Sequence, residues 1–213
     1  MKKIIPIFGN TSSGKSFLGK NIEMKYKIQY LSFGDLKRRE INSGSVLGLS
    51  LQSAISNKLP INPNDGMLLI EKEISSLSNS SIFLLSGYPI SEIEYSHLNS
   101  LYEILFGINL MADETIIRKR FFTRGICPAC DFPGLVDGIC PIHGFKMIKR
   151  EDATEEELCG RMNLFNNRII PFIDLIKNKS LFPIKTYNSG LFKLEDVFND
   201  INQYLNESKN DKK

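Results

Sequence analysis

Gly9-Asn10-Thr11-Ser12-Ser13-Gly14-Lys15-Ser16 follows the apolar run Ile4-Ile5-Pro6-Ile7-Phe8 and opens a stretch that reads as a helix from Lys15 to about Lys25. It fits G-x-x-x-x-G-K-[ST] in the strand–loop–helix setting that a phosphate-binding loop requires. The glycines let the backbone wrap around an anion, and successive N–H groups point inward at it. The positive end of the following helix adds about half an elementary charge. Lys15 is placed to reach terminal phosphates and the Ser16 hydroxyl to sit on magnesium. The alternative, a Gly/Ser turn before an ordinary helix, does not explain why Lys and Ser follow the second glycine. The stretch predicts a nucleoside triphosphate site.

Working outward, short apolar runs alternate with helical periodicity, the pattern of a parallel sheet flanked by helices. Strands are predicted at 3–8, 29–32, 82–86, 106–111 and 181–187, a five-stranded sheet of the phosphate-loop NTPase type. Pro6 sits badly in a central strand, where it removes a ladder donor. Helices are predicted at 34–42, 47–57, 63–77, 91–105, 113–123, 154–177 and 194–205. Asn62-Pro63 is a helix start with an N-cap followed by proline. Thr154-Glu155-Glu156-Glu157 reads as a capping box. Two segments interrupt the alternation: 34–77 holds three successive helical patterns, and 125–150 has neither period. The division expected is a core of 1–33, 78–124 and 151–206, a helical subdomain at 34–77, a lid at 125–150, and a disordered tail at 207–213. No internal repeat is evident.

The 213 residues, 42% hydrophobic and 24% charged, suit one globular domain carrying insertions. A net charge of +3 is too small to make nucleic acid the main partner. Met1-Lys2-Lys3 leads into too few apolar residues for a signal peptide, and no run approaches a membrane span. The cysteines read as metal ligands rather than a disulfide framework, which predicts a cytoplasmic protein. Within 125–150, Cys127-Pro128-Ala129-Cys130 and Cys140-Pro141-Ile142-His143 are separated by nine residues. Paired knuckles present four soft ligands to a tetrahedral zinc ion, and a loop this short needs the metal to fold. A closed four-ligand shell makes the zinc structural. Incidental buried thiols or two disulfides are the alternative. Cys159 and His97 are expected to be packing or solvated residues.

Several stretches together resemble the adenylate kinase family in its long form with a zinc-bearing lid. Phe33-Gly34-Asp35-Leu36-Lys37-Arg38 is similar to the family's T-G-D-x-x-R, and Ser43-Gly44-Ser45-Val46-Leu47-Gly48 to its S-G-[ST]-x-L-G. Leu84-Leu85-Ser86-Gly87-Tyr88-Pro89-Ile90 resembles L-x-D-G-F-P-R. Arg120-Phe121-Phe122-Thr123-Arg124 matches R-x-x-x-R, and Arg150-Glu151-Asp152 with Arg161 resembles the arginines after the lid. The resemblance implies transfer of the γ-phosphoryl of magnesium-ATP to AMP or a related nucleoside monophosphate by a monomer, with no nucleic-acid or membrane partner. It implies donor contacts from Gly9, Ser12, Ser13, Gly14, Lys15, Ser16, Phe17 and Arg120. Lys15, Arg124, Arg150 and Arg161 would act on the transferring phosphoryl, which planar guanidinium forks hold bidentately. Phe33, Gly34, Asp35, Arg38, Gly87, Glu94, Arg150 and Arg161 would receive the acceptor. Lys37 and Arg39 are left as surface residues.

The departures gather around the acceptor half. The acid that orders magnesium-bound water in the family is Ser86, and the arginine that clamps the acceptor phosphate is Ile90. The glutamine that reads the adenine edge is Glu94, and the threonine of T-G-D is Phe33. Glu94 only accepts, which favours a base edge presenting donors, as guanine does. A protein that keeps ATP binding and has lost turnover is the competing expectation.

Overall fold

The computed structural model describes residues 1–57, 59–77, 79–150 and 152–210, with backbone alone for 209 and 210. Glu151 and the tail positions 211–213 therefore lie outside the described residues. The chain runs β1 (Lys3–Gly9), α1 (Lys15–Tyr26), β2 (Gln29–Ser32), α2 (Phe33–Asn42), α3 (Val46–Ser56), α4 (Pro63–Ser76), β3 (Ile82–Ser86) and α5 (Glu92–Leu101). Then come β4 (Glu103–Ile104), β5 (Gly107–Met111), α6 (Glu114–Thr123), β6 (Arg124–Ile126), β7 (Pro133–Leu135), β8 (Ile148–Lys149) and α7 (Glu155–Leu164). A π-helical stretch (Phe165–Ile169), α8 (Ile170–Asn178), β9 (Ile184–Asn188) and α9 (Leu194–Asn210) complete it.

The main sheet is parallel, in the order β2-β3-β1-β5-β9, with β4 as a short addition on β1. Strand β1 lies at its centre, and Ile4, Ile5 and Ile7 are fully buried. Both faces are covered, so the strands read as continuous apolar runs. On one side Ile4, Phe83 and Leu85 pack with Leu36, Leu51 and Ile70 of the helical insertion. On the other, Ile5, Ile7 and Leu84 meet Leu18 and Ile22 of α1 and Val197 and Ile201 of α9.

Pro6 explains the sixth strand. In a parallel ladder a residue turns its N–H and C=O to the same side, and the Ile4 carbonyl accepts from Leu105 N at 3.1 Å. Pro6 has the same parity, so its missing donor faces that neighbour. There the neighbour is broken, β4 pairing Lys3 and Ile4 while β5 resumes at Ile7. Strand β4 thus takes residues predicted as the end of a helix, and α5 stops at Leu101 instead of 105.

Other boundaries differ as well. The last two strands of the main sheet start later than predicted, at Gly107 and Ile184. The helix predicted over 154–177 is split by the π-helical stretch before Pro171. Proline there removes an i→i−4 bond and would crowd the preceding turn, and a wider turn relieves both. Helix α9 continues through Asn210, so residues 207–210 are helical where a disordered tail was predicted. Helix starts follow expectation: the Asn62 side chain accepts from Asn64 N at 2.9 Å, and Thr154 from Glu157 N at 3.2 Å. Only half of the predicted capping box forms, because Glu157 turns to accept from Arg161 Nε at 2.6 Å.

Residues 124–149 form a separate three-stranded antiparallel sheet, β7-β6-β8. Among the described residues no helix is long and apolar enough to cross a membrane.

Candidate active site

The loop between β1 and α1 leaves the carboxyl end of the central strand, where the sheet has neighbours on both sides. That is the position at which open α/β sheets bind ligands. Gly9 at φ +137° and Gly14 at φ +97° bracket Ser12 at φ +54°, and these left-handed turns aim backbone N–H groups into one concavity. A Cβ on Gly9 would lie 2.5 Å from the Leu110 carbonyl oxygen, so no larger residue fits. Helix α1 begins at Gly14 with no side-chain cap, leaving its first N–H groups for the loop's ligand. Lys15 Nζ donates to the carbonyls of Gly9 at 2.7 Å and Asn10 at 2.6 Å. Burial, then the charges of Arg161 and Arg124, pull its pKa down to about 7. Phe17 is exposed.

Three of the predicted arginines converge on one carboxylate. Arg150 grips Asp152 bidentately at 2.8 and 2.6 Å, Arg161 Nη2 donates at 2.5 Å, and Arg124 Nη2 approaches at 3.5 Å. Arg124 Nη1 also reaches Ser12 Oγ of the loop at 3.4 Å, joining this cluster to the phosphate cradle. Arg124 lies 4.2 Å above the Phe121 ring, with Arg161 at 5.9 Å. Burial raises the Asp152 carboxyl, but the Arg150 hydrogen bond and the charges of Arg150, Arg161 and Arg124 win and hold it at about 2. Asp152 is shared by all three guanidiniums and Arg161 has Glu157 as a second partner, so two carboxylates face three cations and the cluster has capacity for further anionic oxygens. Among the described residues, Ser13 Oγ and Arg124 Nε are buried polar atoms without a hydrogen-bond partner. Arg120 turns away from this cluster to donate to Ser189 Oγ at 2.5 Å. The Ser189–Gly190 turn after β9, which the sequence reading did not single out, thereby borders the cradle, with Ser189 Oγ 3.4 Å from where a Gly14 Cβ would sit.

The lid sheet carries the cysteines. Sγ of Cys127, Cys130 and Cys140 and a ring nitrogen of His143 lie within 4.8 Å of one another, and the cysteines are free thiols. Cys130 Sγ and Cys140 Sγ are 3.8 Å apart, and Cys140 Sγ and His143 Nδ1 4.0 Å. Ligands about 2.3 Å from one ion in a tetrahedron are separated by close to these distances. The donor set therefore fits zinc. The two knuckles are built alike: Asp131 N bonds to Cys127 O as Gly144 N does to Cys140 O, and Asp131 and Gly144 both have positive φ. The sequences match accordingly, C-P-A-C-D-F against C-P-I-H-G-F, a short repeat that a search for domain-scale periods passes over. Lys20 of α1 donates to the Cys130 carbonyl at 2.7 Å and pins the first knuckle to the core.

A family model described as adenylate kinase matches residues 7–181. The chain belongs to the adenylate kinase family. It is 31% identical to the adenylate kinase of Thermococcus sibiricus over 94% of this chain and 93% of that protein. It is 30% identical to that of Thermococcus kodakarensis over 84% of each chain. It is 25% identical to that of Clostridium perfringens over 96% of this chain and 99% of the relative. As a member of this family it is a phosphotransferase with a phosphate group as acceptor.

The positions at which this chain departs from the family pattern lie together. Ser86 ends β3, buried, and shares a 2.7 Å hydrogen bond with the Tyr30 hydroxyl. Burial pushes that phenol up to about 12, so it stays protonated. Phe33 is buried with its ring 5.1 Å from that of Tyr88. Glu94 is buried, accepts from Ile90 N at 2.7 Å, and has its pKa raised by that burial. Gly87 takes φ +81° beside them. Asp35 and Arg38 pair with each other, Gly34 lies just before them, and Arg38 stays exposed. Lys37, assigned to the surface from sequence, is instead half-buried with Nζ 5.1 Å from the Phe33 ring centre. Burial, then Arg161 and Arg38, lower its pKa, while Glu94 and Glu157 act in the opposite direction. Helical spacing alone does not reveal this placement, which depends on charges brought near Lys37 from α5 and α7.

Proposed function

We propose that the enzyme transfers the γ-phosphoryl group of magnesium-ATP to the phosphate of AMP or a related nucleoside monophosphate. The observation that carries this reading is the convergence of Arg124, Arg150 and Arg161 on Asp152, next to Ser12 of the phosphate loop. The triphosphate lies on Gly9–Ser16, where Ser12, Ser13, Gly14 and Ser16 supply N–H groups and Lys15 neutralises the terminal phosphates. Arg120 holds the ATP side. An oxygen of the acceptor phosphate attacks the γ-phosphorus, the bond to the β–γ bridging oxygen breaks, and two diphosphates form. That acceptor oxygen is already deprotonated at neutral pH, so the step needs no general base. It needs placement and positive charge, which Lys15 and the three arginines provide. Magnesium travels with ATP, with Ser16 as its protein ligand.

At the acceptor end, Gly34, Asp35, Arg38, Gly87, Glu94 and Lys37 line the pocket of the helical subdomain, with Phe33 behind. Lys37 faces Arg161 and Arg38, and so offers the acceptor a cation where Ile90 withholds one. Glu94 accepts from the base edge beside it. Cys127, Cys130, Cys140 and His143 would hold a structural zinc that staples the lid at 125–150, and lid closure excludes water. The protein works as a cytoplasmic monomer.

The test is purified enzyme with magnesium-ATP against a panel of ribo- and deoxynucleoside monophosphates. Formation of a diphosphate from at least one supports the reading, and none from any overturns it. Ser86 and Ile90 favour one competitor, an ATP-binding protein without turnover, which tight ATP binding with a blank panel selects. If only the Ser86→Asp, Ile90→Arg double variant phosphorylates AMP, the departures are losses of function. If the wild type already uses another monophosphate, they are changes of specificity.

A further inference from the structure

Ser16 and Gly19 sit three residues apart on one face of α1, and the side chain of Tyr30 from β2 lies along that face. A Cβ on Gly19 would fall 2.1 Å from the Tyr30 ring, so the absence of a side chain there opens the niche the ring fills. From the niche the phenol oxygen reaches Ser16 Oγ at 3.3 Å and Ser86 Oγ at 2.7 Å. Tyr30, Ser86 and the ring's neighbours Leu18 and Ile22 are buried. A hydroxyl chain thus runs from the end of β3 to the serine that closes the phosphate loop. It passes through the position where the family pattern carries an acid and this chain carries Ser86.

We propose that Tyr30 is a positioning residue for Ser16, replacing through a neutral hydroxyl chain the orienting influence that a carboxylate at position 86 would provide. The inference rests on the reading of Gly9–Ser16 as the magnesium-ATP site. A serine hydroxyl oxygen carries two lone pairs, and one of them must face magnesium. Tyr30 donates to the other and accepts from Ser86, so the Ser16 oxygen faces the metal with one orientation fixed. Serine is shorter than aspartate and uncharged. Tyrosine supplies the missing reach, and Gly19 makes that reach possible. A magnesium site built this way leans on Ser16 orientation and lacks the charge of an acid behind it.

Tyr30→Phe keeps the ring in its niche and deletes only the hydroxyl. ATP affinity is measured by calorimetry with magnesium and with EDTA, beside thermal unfolding and steady-state kinetics. The expected result is a three- to ten-fold loss of magnesium-ATP affinity, about what one hydrogen bond is worth, with affinity in EDTA, unfolding temperature and acceptor KM unchanged. Ser86→Ala, which leaves the Gly19 niche untouched, loses in the same direction. The double variant loses less than the product of the two, because the hydroxyls act as one chain. An unchanged ratio of magnesium-ATP to free-ATP affinity in Tyr30→Phe overturns the proposal, and should that variant fail to fold, an unchanged ratio in Ser86→Ala does so. Wild-type protein that binds no ATP overturns the donor-site reading itself, which separates the two failures.

Discussion

At Asp152 three guanidiniums share one carboxylate, so its charge sets how closely Arg124, Arg150 and Arg161 approach one another. Asp152→Asn keeps the shape and removes the charge. The arginines then repel with only Glu157, paired with Arg161, left as a counter-charge, and the fall in kcat should be roughly thirty-fold, about 2 kcal/mol, the scale of a charged hydrogen bond. Single-turnover kinetics separate this from any change in ATP binding. The same carboxyl is held at about 2 against an ordinary 3.8, so it stabilises the folded protein above the ordinary value. That stabilisation is lost as pH falls from about 4 through about 2. Acid unfolding followed by circular dichroism should be shallower over that window in Asp152→Asn than in the wild type. Lys37 makes a second prediction at this scale. Its ammonium is half-buried beside Arg161 and Arg38, an arrangement that an acceptor phosphate relieves. Lys37→Met should raise the acceptor KM about ten-fold and leave the ATP KM within two-fold, since a charge-assisted contact is lost on one side only.

Between elements, the contact of α1 with β2 depends on Gly19. Gly19→Ala adds a methyl where the Tyr30 ring already lies, and both ring and helix are buried in the main core. Alanine is the better helix former, so a purely local view expects a gain in stability. Overpacking outweighs it: the variant should lose about 2 kcal/mol, or about 4–8 °C in unfolding temperature for a domain of this length. Pairing Gly19→Ala with Tyr30→Ala, which empties the niche, should cost less than the sum of the two single variants, because the clash is gone. The opposed local and tertiary effects show why elements were legible where local chemistry decides them. Asn62-Pro63 and Thr154 mark helix starts by their own side chains. The break at Leu105–Phe106 opposite Pro6 and strand β4 answer to a neighbour's constraint, which periodicity along one segment does not carry.

On the scale of the whole molecule, the phosphate loop and the collinear arginines were legible because each keeps its spacing within one motif. The joins between motifs were not. Asp152 as a shared counter-charge, Lys37 over Phe33, Tyr30 between Ser16 and Ser86, and the Ser189–Gly190 turn all arise from segments far apart in sequence. The lid shows the same division, for its ligands are readable while its dependence on them is a property of packing. Its buried cluster consists of Phe132 and Met147 with Cys127 and Cys140, half of them members of the proposed zinc set, whereas the main sheet has its own apolar layers on both faces. Removing the metal should therefore unfold 125–150 and spare the rest. After treatment with a strong zinc chelator, brief trypsin digestion should cut first at Arg124, Lys146, Lys149 or Arg150, while the core resists. ATP affinity should change less than about ten-fold, because Gly9–Ser16 belongs to the core. Phosphoryl transfer should fall at least a hundred-fold, because Arg124 and Arg150 stand at the two ends of the lid and lose their fixed positions. Zinc should restore both protection and turnover. A lid that stays protected without metal would show that α1, through Lys20, carries it instead, and global unfolding on chelation would show that lid and core fold as one unit.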